Sequence, residues 1–435
     1  MMTYIHQKLR VPVWIMILVA TGISFRVREA GTEVVDPVIF LQLALSILAL
    51  ILTVPRILQY KKLNDSLKLL FFYISAMGIS SIFSPQPKLV IGYWVLFAAT
   101  TLLTADMVFN ANQRQDMEKL EDMWFFIVSF IVLYNSINSL FLTEHDLGGQ
   151  VYRLGLGSMP MNTLSFTAVI AFWMSFKYKN PLILIPRFMF IAAILLTQTR
   201  IAIISLLLVW FLRKWIHPAF NQNSQKFLSR CIFIFVLLAS LSAVLLSINF
   251  QLPGTRQVLE YLERDKNPSS IRTLTGRTEI WPAALHHILD NPTTFIFGHG
   301  YGTSRYVLNE GEHAPQFYAY HAHNLYLETL LSIGLVGFIP MISLMYTGVL
   351  WITMNRKLLN SYSTDYILRA SSVMATTLLY SFTESGWAVK LTPTTVIFFY
   401  YLFTLDKALS SDYQYQTNFG RNDEKYPYTH HAGQK

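Results

Sequence analysis

Residues 321–353 read HAHNLYLETLLSIGLVGFIPMISLMYTGVLWIT. From Leu325 onward the side chains are apolar almost without interruption, and Glu328 is the one charged residue among them. A bilayer-spanning helix needs about 20 such residues, so this stretch is long enough to cross a membrane. Just ahead of it stand two histidines and an asparagine, polar groups gathered at the mouth of an apolar helix. The pairing of an apolar span with a polar mouth sets the fold class expected for the whole chain: all-α and polytopic.

Composition agrees. Of 435 residues, 53% are hydrophobic and 14% charged, and mean hydropathy is +0.38. Soluble domains carry roughly a quarter charged residues. The single cysteine, Cys231, excludes a disulfide framework or a thiol metal cluster within the chain. A net charge of +9 raises the question of nucleic acid. The placement of the charges argues against that partner, because the basic residues collect in alternate short loops, as the positive-inside rule requires of a membrane protein.

About twelve candidate spans follow. They run roughly over 11–25, 37–54, 68–84, 89–109, 123–142, 163–178, 182–198, 201–213, 231–250, 325–353, 367–383 and 392–406. Val11–Phe25 reads as an uncleaved first span, since it lacks a small-residue cleavage site. With the N-terminus in the cytoplasm, Arg56, Lys61, Lys62, Lys177, Lys179, Arg213, Lys214, Arg356, Lys357 and Lys407 fall on the cytoplasmic side. The expected organisation is transmembrane helices over 1–250, a large extracytoplasmic loop over 251–324, further spans over 325–406, and a polar, disordered cytoplasmic tail over 407–435. Within the loop, TEIWPAALHHILD (278–290) has helical spacing that puts Trp281, Leu285 and Ile288 on one face. Asn291-Pro292 should end that helix. Gly298-His-Gly-Tyr-Gly302 reads as a flexible turn.

Three arginines and the histidine pair are the residues expected to carry chemistry. Arg200 sits between two apolar runs, where a guanidinium is costly unless it meets a cavity or a polar ligand. Arg153 precedes the sixth span. Arg277 opens the loop helix, where backbone N–H groups and a guanidinium fork together suit phosphate oxygens. His321 and His323 lie beside Asn324 and Glu328, and an imidazole there suits general-base work. Trp281, Tyr301 and Tyr318 are candidates for stacking on sugars, with core packing as the competing role. Gly334 and Gly337 should let another helix approach closely. Glu263 and Asp265, Glu310 and Glu312 are acidic pairs that would suit a hard divalent cation, but arginines already supply positive charge, so no metal is expected. Glu384 and Lys390 are left as either an ion pair or substrate contacts.

The pattern His323-Asn324, nine residues, Gly334, two residues, Gly337 resembles the signature of the O-antigen ligase and polymerase superfamily. RLGLGSMPMN (153–162), LTQTR (196–200) and LTGRTEIWPAALHHILDNP (274–292) resemble that family in the right order. The likeness spans about residues 60–405 and is strongest from Arg153 to Gly337. It implies a bacterial inner-membrane enzyme with cytoplasmic termini and a periplasmic active site. Such an enzyme moves a glycan from undecaprenyl diphosphate to an acceptor hydroxyl, without cofactor. For a ligase, the reading favoured here, the acceptor is the lipid A core; for a polymerase it is a second lipid-linked glycan. The resemblance assigns the catalytic histidine to His323 and the family's arginines to Arg200 and Arg277. His323 would take the acceptor's proton, oriented by Asn324 or Glu328, and the arginines would hold the leaving diphosphate, with inversion at the anomeric carbon. A transporter of lipid-linked sugars and a scaffold of polysaccharide assembly are the alternatives of other classes. The absence of an internal repeat argues against the transporter.

Overall fold

The computed structural model describes residues 11–17, 37–59, 64–111, 114–141, 159–197, 199–216, 277–312, 314–315, 318–353, 362–389 and 391–423. Among them every regular element is helical. The helices are α1 (11–17), α2 (Pro37–Ile57), α3 (Asp65–Ser80), α4 (Pro87–Phe109), α5 (Arg114–Phe141), α6 (Met161–Met174), α7 (Leu184–Leu196) and α8 (Arg200–Ile216). They continue with α9 (Arg277–Leu289), α10 (Pro292–Phe297), α11 (Ser304–Val307), α12 (Leu325–Thr353), α13 (Thr364–Tyr380) and α14 (Pro393–Asp423).

Five stretches are long and apolar enough to cross a membrane: Phe40–Ile57, Asp65–Phe83, Pro87–Phe109, Gln115–Ser139 and Leu325–Leu350. Helices α6, α7, α8 and α13 fall where spans were expected but are shorter. The expected span at 231–250 lies outside the described residues, as do Arg153, Cys231, Glu263, Asp265 and Lys390. Helix α7 ends at Leu196 and α8 starts at Arg200, close to the boundary expected between the spans 182–198 and 201–213. One expectation differs: α14 runs on to Asp423, through part of the tail expected to be irregular. Extending a helix that is already nucleated costs far less than starting one, and the next proline is Pro427.

The bundle is organised around α12. It packs along α3, against α9 and α10, and beside α13. Asn324 starts it: the Oδ1 atom accepts from the backbone N–H groups of Tyr326 and Leu327, both at 3.0 Å, which is an N-cap. The helix then breaks at Gly334, whose φ of 69° and ψ of −168° lie in a region only glycine occupies readily. The break frees carbonyls in the preceding turn, and the Gly298–Gly302 segment satisfies them. His299 N–H donates to Leu331 O at 2.9 Å, and Gly300 N–H donates to Ser332 O at 2.8 Å. Gly298 also has positive φ, and a Cβ on Gly334 would lie 2.6 Å from Gly298 N. The glycine run is therefore a packed plug in the broken helix, not a flexible spacer. Gly337 does face a helix, with Ala76 of α3 its nearest neighbour there.

Two charged clusters sit at opposite ends of α13. Near its start, Arg369 forks onto Glu121 of α5 at 2.9 and 2.8 Å, and Tyr401 donates to the same carboxylate at 2.9 Å. Just past its end lies Glu384. The eleven steps from Arg369 to Tyr380 span roughly 16 Å of helix. The Arg369–Glu121 pair is buried and fully hydrogen-bonded, as a charge pair in such surroundings must be.

Helix α9 ends, as expected, before Asn291. That residue instead caps α10, accepting from Thr293 N–H at 2.8 Å with Pro292 at the first helical position. Here His299 Nε2 meets His287 O at 3.1 Å, and His287 Nε2 is buried without a partner among the described residues. Burial holds both imidazoles below their ordinary value of 6.5, outweighing the Asp290 carboxylate near both and, for His299, the Glu310 carboxylate as well. Above pH 6.5 both are neutral, folded or unfolded. As pH falls below 6.5 the unfolded state takes up protons first, so stability is lost in that direction. Amide protection factors across 284–300 of the intact protein, taken relative to the intrinsic exchange rate at each pH, should therefore fall between pH 7.5 and pH 5.5. Equal protection at both would refute the linkage.

Candidate active site

Ala322 explains how two histidines come to face one way. Its N–H donates to Glu328 Oε2 at 2.7 Å, and its carbonyl accepts from the Trp281 indole at 2.8 Å. With the middle residue clamped from both sides, His323 adopts a φ of 50°, the left-handed region that non-glycine residues enter only under constraint. The chain folds back so that the two imidazole centroids lie 3.9 Å apart. The His323 N–H donates to His321 Nδ1 at 3.2 Å, and that nitrogen also lies 3.1 Å from Ser385 Oγ.

The centre of the site is Glu384, which is buried. Oε2 lies 3.4 Å from His323 Nδ1, and Oε1 lies 3.6 Å from Arg277 Nη2. Asn162 Nδ2 donates to the same Oε1, and Asn162 Oδ1 lies 3.5 Å from Thr199 Oγ1. One carboxylate thus gathers four distant segments: Asn162 at the start of α6, Thr199 before α8, Arg277 at the start of α9, and His323 before α12. A proton on His323 Nδ1 toward Glu384 leaves Nε2 with its lone pair, in a ring whose side chain is 28% exposed.

Arg277 donates through Nη2 to Thr383 O at 2.7 Å. Its Nε–H is buried and has no acceptor among the described residues. A buried guanidinium donor left unmet is costly, so this is where an oxygen-rich anion fits. The first N–H groups of α9 stand beside it.

Arg200 opens α8 one residue after Thr199, and its side chain is exposed. The backbone at Arg200 is thus tied to the cluster through Thr199 and Asn162. Asn324 and Glu328 have work inside the fold. Asn324 caps α12 and donates to Phe382 O at 3.2 Å, while Glu328 holds the Ala322 turn and accepts from Ser332 Oγ at 3.0 Å. Neither is hydrogen-bonded to the His323 ring, which meets Glu384 instead. Trp281 is buried with its indole N–H committed, and Tyr301 is buried with its hydroxyl on Trp387 O at 2.6 Å. Of the three aromatics read as sugar platforms, Tyr318 alone is exposed.

Sequence reasoning missed Glu384 as the hub and did not single out Asn162. The signal was slight: an acid and an amide, each at the end of an apolar run. His321, His323 and Glu384 each offer a ligand atom within 4.8 Å of the others, a donor set suited to a transition metal. Arg277 already faces the same carboxylate and disfavours a second cation there.

Residues 187–342 match the family described as O-antigen ligase, a stretch that holds Arg200, Arg277, His321, His323 and Gly334. No curated protein matches the chain. Proteins of the matched family are glycosyltransferase-like ligases and polymerases. Of the five membrane-length apolar helices, the matched stretch takes in the first part of Leu325–Leu350. Residues 187–342 of this helical, apolar chain are therefore similar to the O-antigen ligase family, in agreement with the resemblance carried by the histidine and arginine motifs.

Proposed function

We propose that the protein transfers a glycan from undecaprenyl diphosphate to an acceptor hydroxyl at the periplasmic face of the bacterial inner membrane. The observation that carries this reading is the convergence of His323 and Arg277 on the two oxygens of Glu384. His323 Nε2 takes the proton from the acceptor hydroxyl as its oxygen bonds to the anomeric carbon. The bond from that carbon to the phosphate oxygen breaks, and its electron pair leaves with the lipid diphosphate. Arg277 holds the charge that develops there through the fork that Glu384 leaves unfilled. Arg200, exposed at the start of α8 next to Thr199, is the second cation assigned to the diphosphate in this reading. Glu384 orients His323 and stabilises the imidazolium, the role a carboxylate plays behind a catalytic histidine. Displacement on the face opposite the diphosphate inverts the anomeric centre.

The lipid A core is the acceptor favoured here, and a second lipid-linked glycan is the alternative. Purified protein offered lipid-linked glycan with each acceptor in turn distinguishes them by product size. In that assay Arg277→Lys keeps the charge and loses the fork. It should lower kcat by roughly 10²-fold. A variant within twofold of the parent would remove Arg277 from the mechanism.

No metal takes part in this scheme, so transfer should survive a strong chelator. The donor set of His321, His323 and Glu384 supports the contrary reading. Loss of transfer in chelator, restored by zinc or manganese, would establish it.

A further inference from the structure

The segment that leads into the histidine turn has its own architecture. Tyr318, Ala319 and Tyr320 alternate: Ala319 is fully buried, while Tyr318 is 44% and Tyr320 is 43% exposed. The strip is pinned in place by one side chain. Asn309 accepts from Ala319 N–H at 2.8 Å and donates to Ala319 O at 2.7 Å, so its amide imitates a neighbouring strand. Asn309 is itself tied to Arg305 O at 2.5 Å. The two tyrosine rings stand 5.0 Å apart with planes at 71°, forming an angled wall. Arg305 lies along the same support, over the Tyr306 ring and bonded to its hydroxyl at 2.8 Å.

We infer that Tyr318 and Tyr320 form a glycan-binding wall that seats a sugar ring next to the histidine pair. Three features lead there. First, the backbone of the wall is pinned at Ala319, so little backbone freedom is lost when a ligand arrives. Second, each tyrosine presents an apolar ring face for the C–H side of a pyranose. Third, Tyr320 directly precedes His321, so a ring resting on the wall lies beside His321 and His323. Rings this exposed, on a backbone this firmly held, are not explained by packing within the fold. The inference rests on the transferase reading for its substrate, and it names the chemistry shared by both sources of that ligand: the pyranose rings of the donor glycan and of the acceptor.

The test uses the full chain, purified in lipid nanodiscs. Tyr318→Ala and Tyr320→Ala are each assayed with donor and acceptor varied separately. Each should raise KM for one of the two by roughly 3- to 10-fold, with kcat within about twofold. The substrate whose KM moves identifies the source. Tyr318→Phe and Tyr320→Phe should stay near the parent, because the ring face is kept. A fall in kcat that phenylalanine does not rescue, or unchanged KM for both substrates, overturns the inference. A second readout is independent of turnover: binding of the free oligosaccharide released by mild acid from the host's polyprenyl-linked glycan. If the parent transfers nothing yet binds this oligosaccharide, and both alanine variants lose that binding, the wall stands and the transferase reading falls. If transfer proceeds while oligosaccharide binding is equal in parent and variants, the wall falls alone.

Discussion

His323→Ala is expected to lower glycan transfer by roughly 10²- to 10⁴-fold, the range that a positioned general base supplies. The fold should survive the change. The imidazole is partly exposed, its one carboxylate contact is at 3.4 Å, and the Ala322 clamp does not use the ring. His323→Gln should be as inactive as the alanine variant, since an amide fills the space without accepting a proton near neutral pH. Glu384→Gln belongs to the same experiment. It keeps the shape and removes the charge behind the imidazolium, so its loss should fall mainly on kcat. Donor binding should persist in His323→Ala, because Arg277 keeps its own contact with Thr383. Wild-type kcat in His323→Ala would sink the general-base assignment. Full activity in His323→Ala with none in His321→Ala would move the role to the neighbouring ring.

Gly334→Val should prevent accumulation of folded protein. The backbone there lies in a region that costs a branched residue about 1–3 kcal/mol or more. Steric conflict adds to this, because the place of the new Cβ is already filled by the backbone of Ile296 and Gly298. Neither neighbour can yield, since Gly298 is fitted just as closely against the backbone of Ser332 and Ile333. Stabilities of whole domains are only about 5–15 kcal/mol, so this combination is enough to abolish the native packing. Gly311→Ala is a suitable control. It also has positive φ, but a Cβ there meets nothing within 4 Å. Equal yield and thermal stability for Gly334→Val and the parent would mean that α12 is not broken at this position.

These outcomes show how far the residues could be read before the fold was known. Apolar runs placed most helices to within a few residues, because burial in lipid demands an uninterrupted apolar surface along each span. The expected helix over 278–290 appears as α9, with Trp281 and Ile288 on its buried face. Arg277 and His323 were legible as candidates because a charge or an imidazole beside an apolar span is conspicuous. Glu384 was visible only as one acid among several in outside loops. Asn162 carried only a slight signal, as the last residue of RLGLGSMPMN, since an asparagine at a helix start is usually a cap.

The order of apolar and polar residues determined that this chain is a helical membrane protein. It also marked a guanidinium and an imidazole as candidates for chemistry, because hydrophobic periodicity and misplaced charge are properties of local sequence. Only the tertiary structure decided that Asn162, Arg277 and His323 meet on one carboxylate, and that the glycine run fills the break in α12. Those contacts join positions from about thirty to more than two hundred residues apart and depend on distances of a few ångströms, which side-chain order along a chain does not encode.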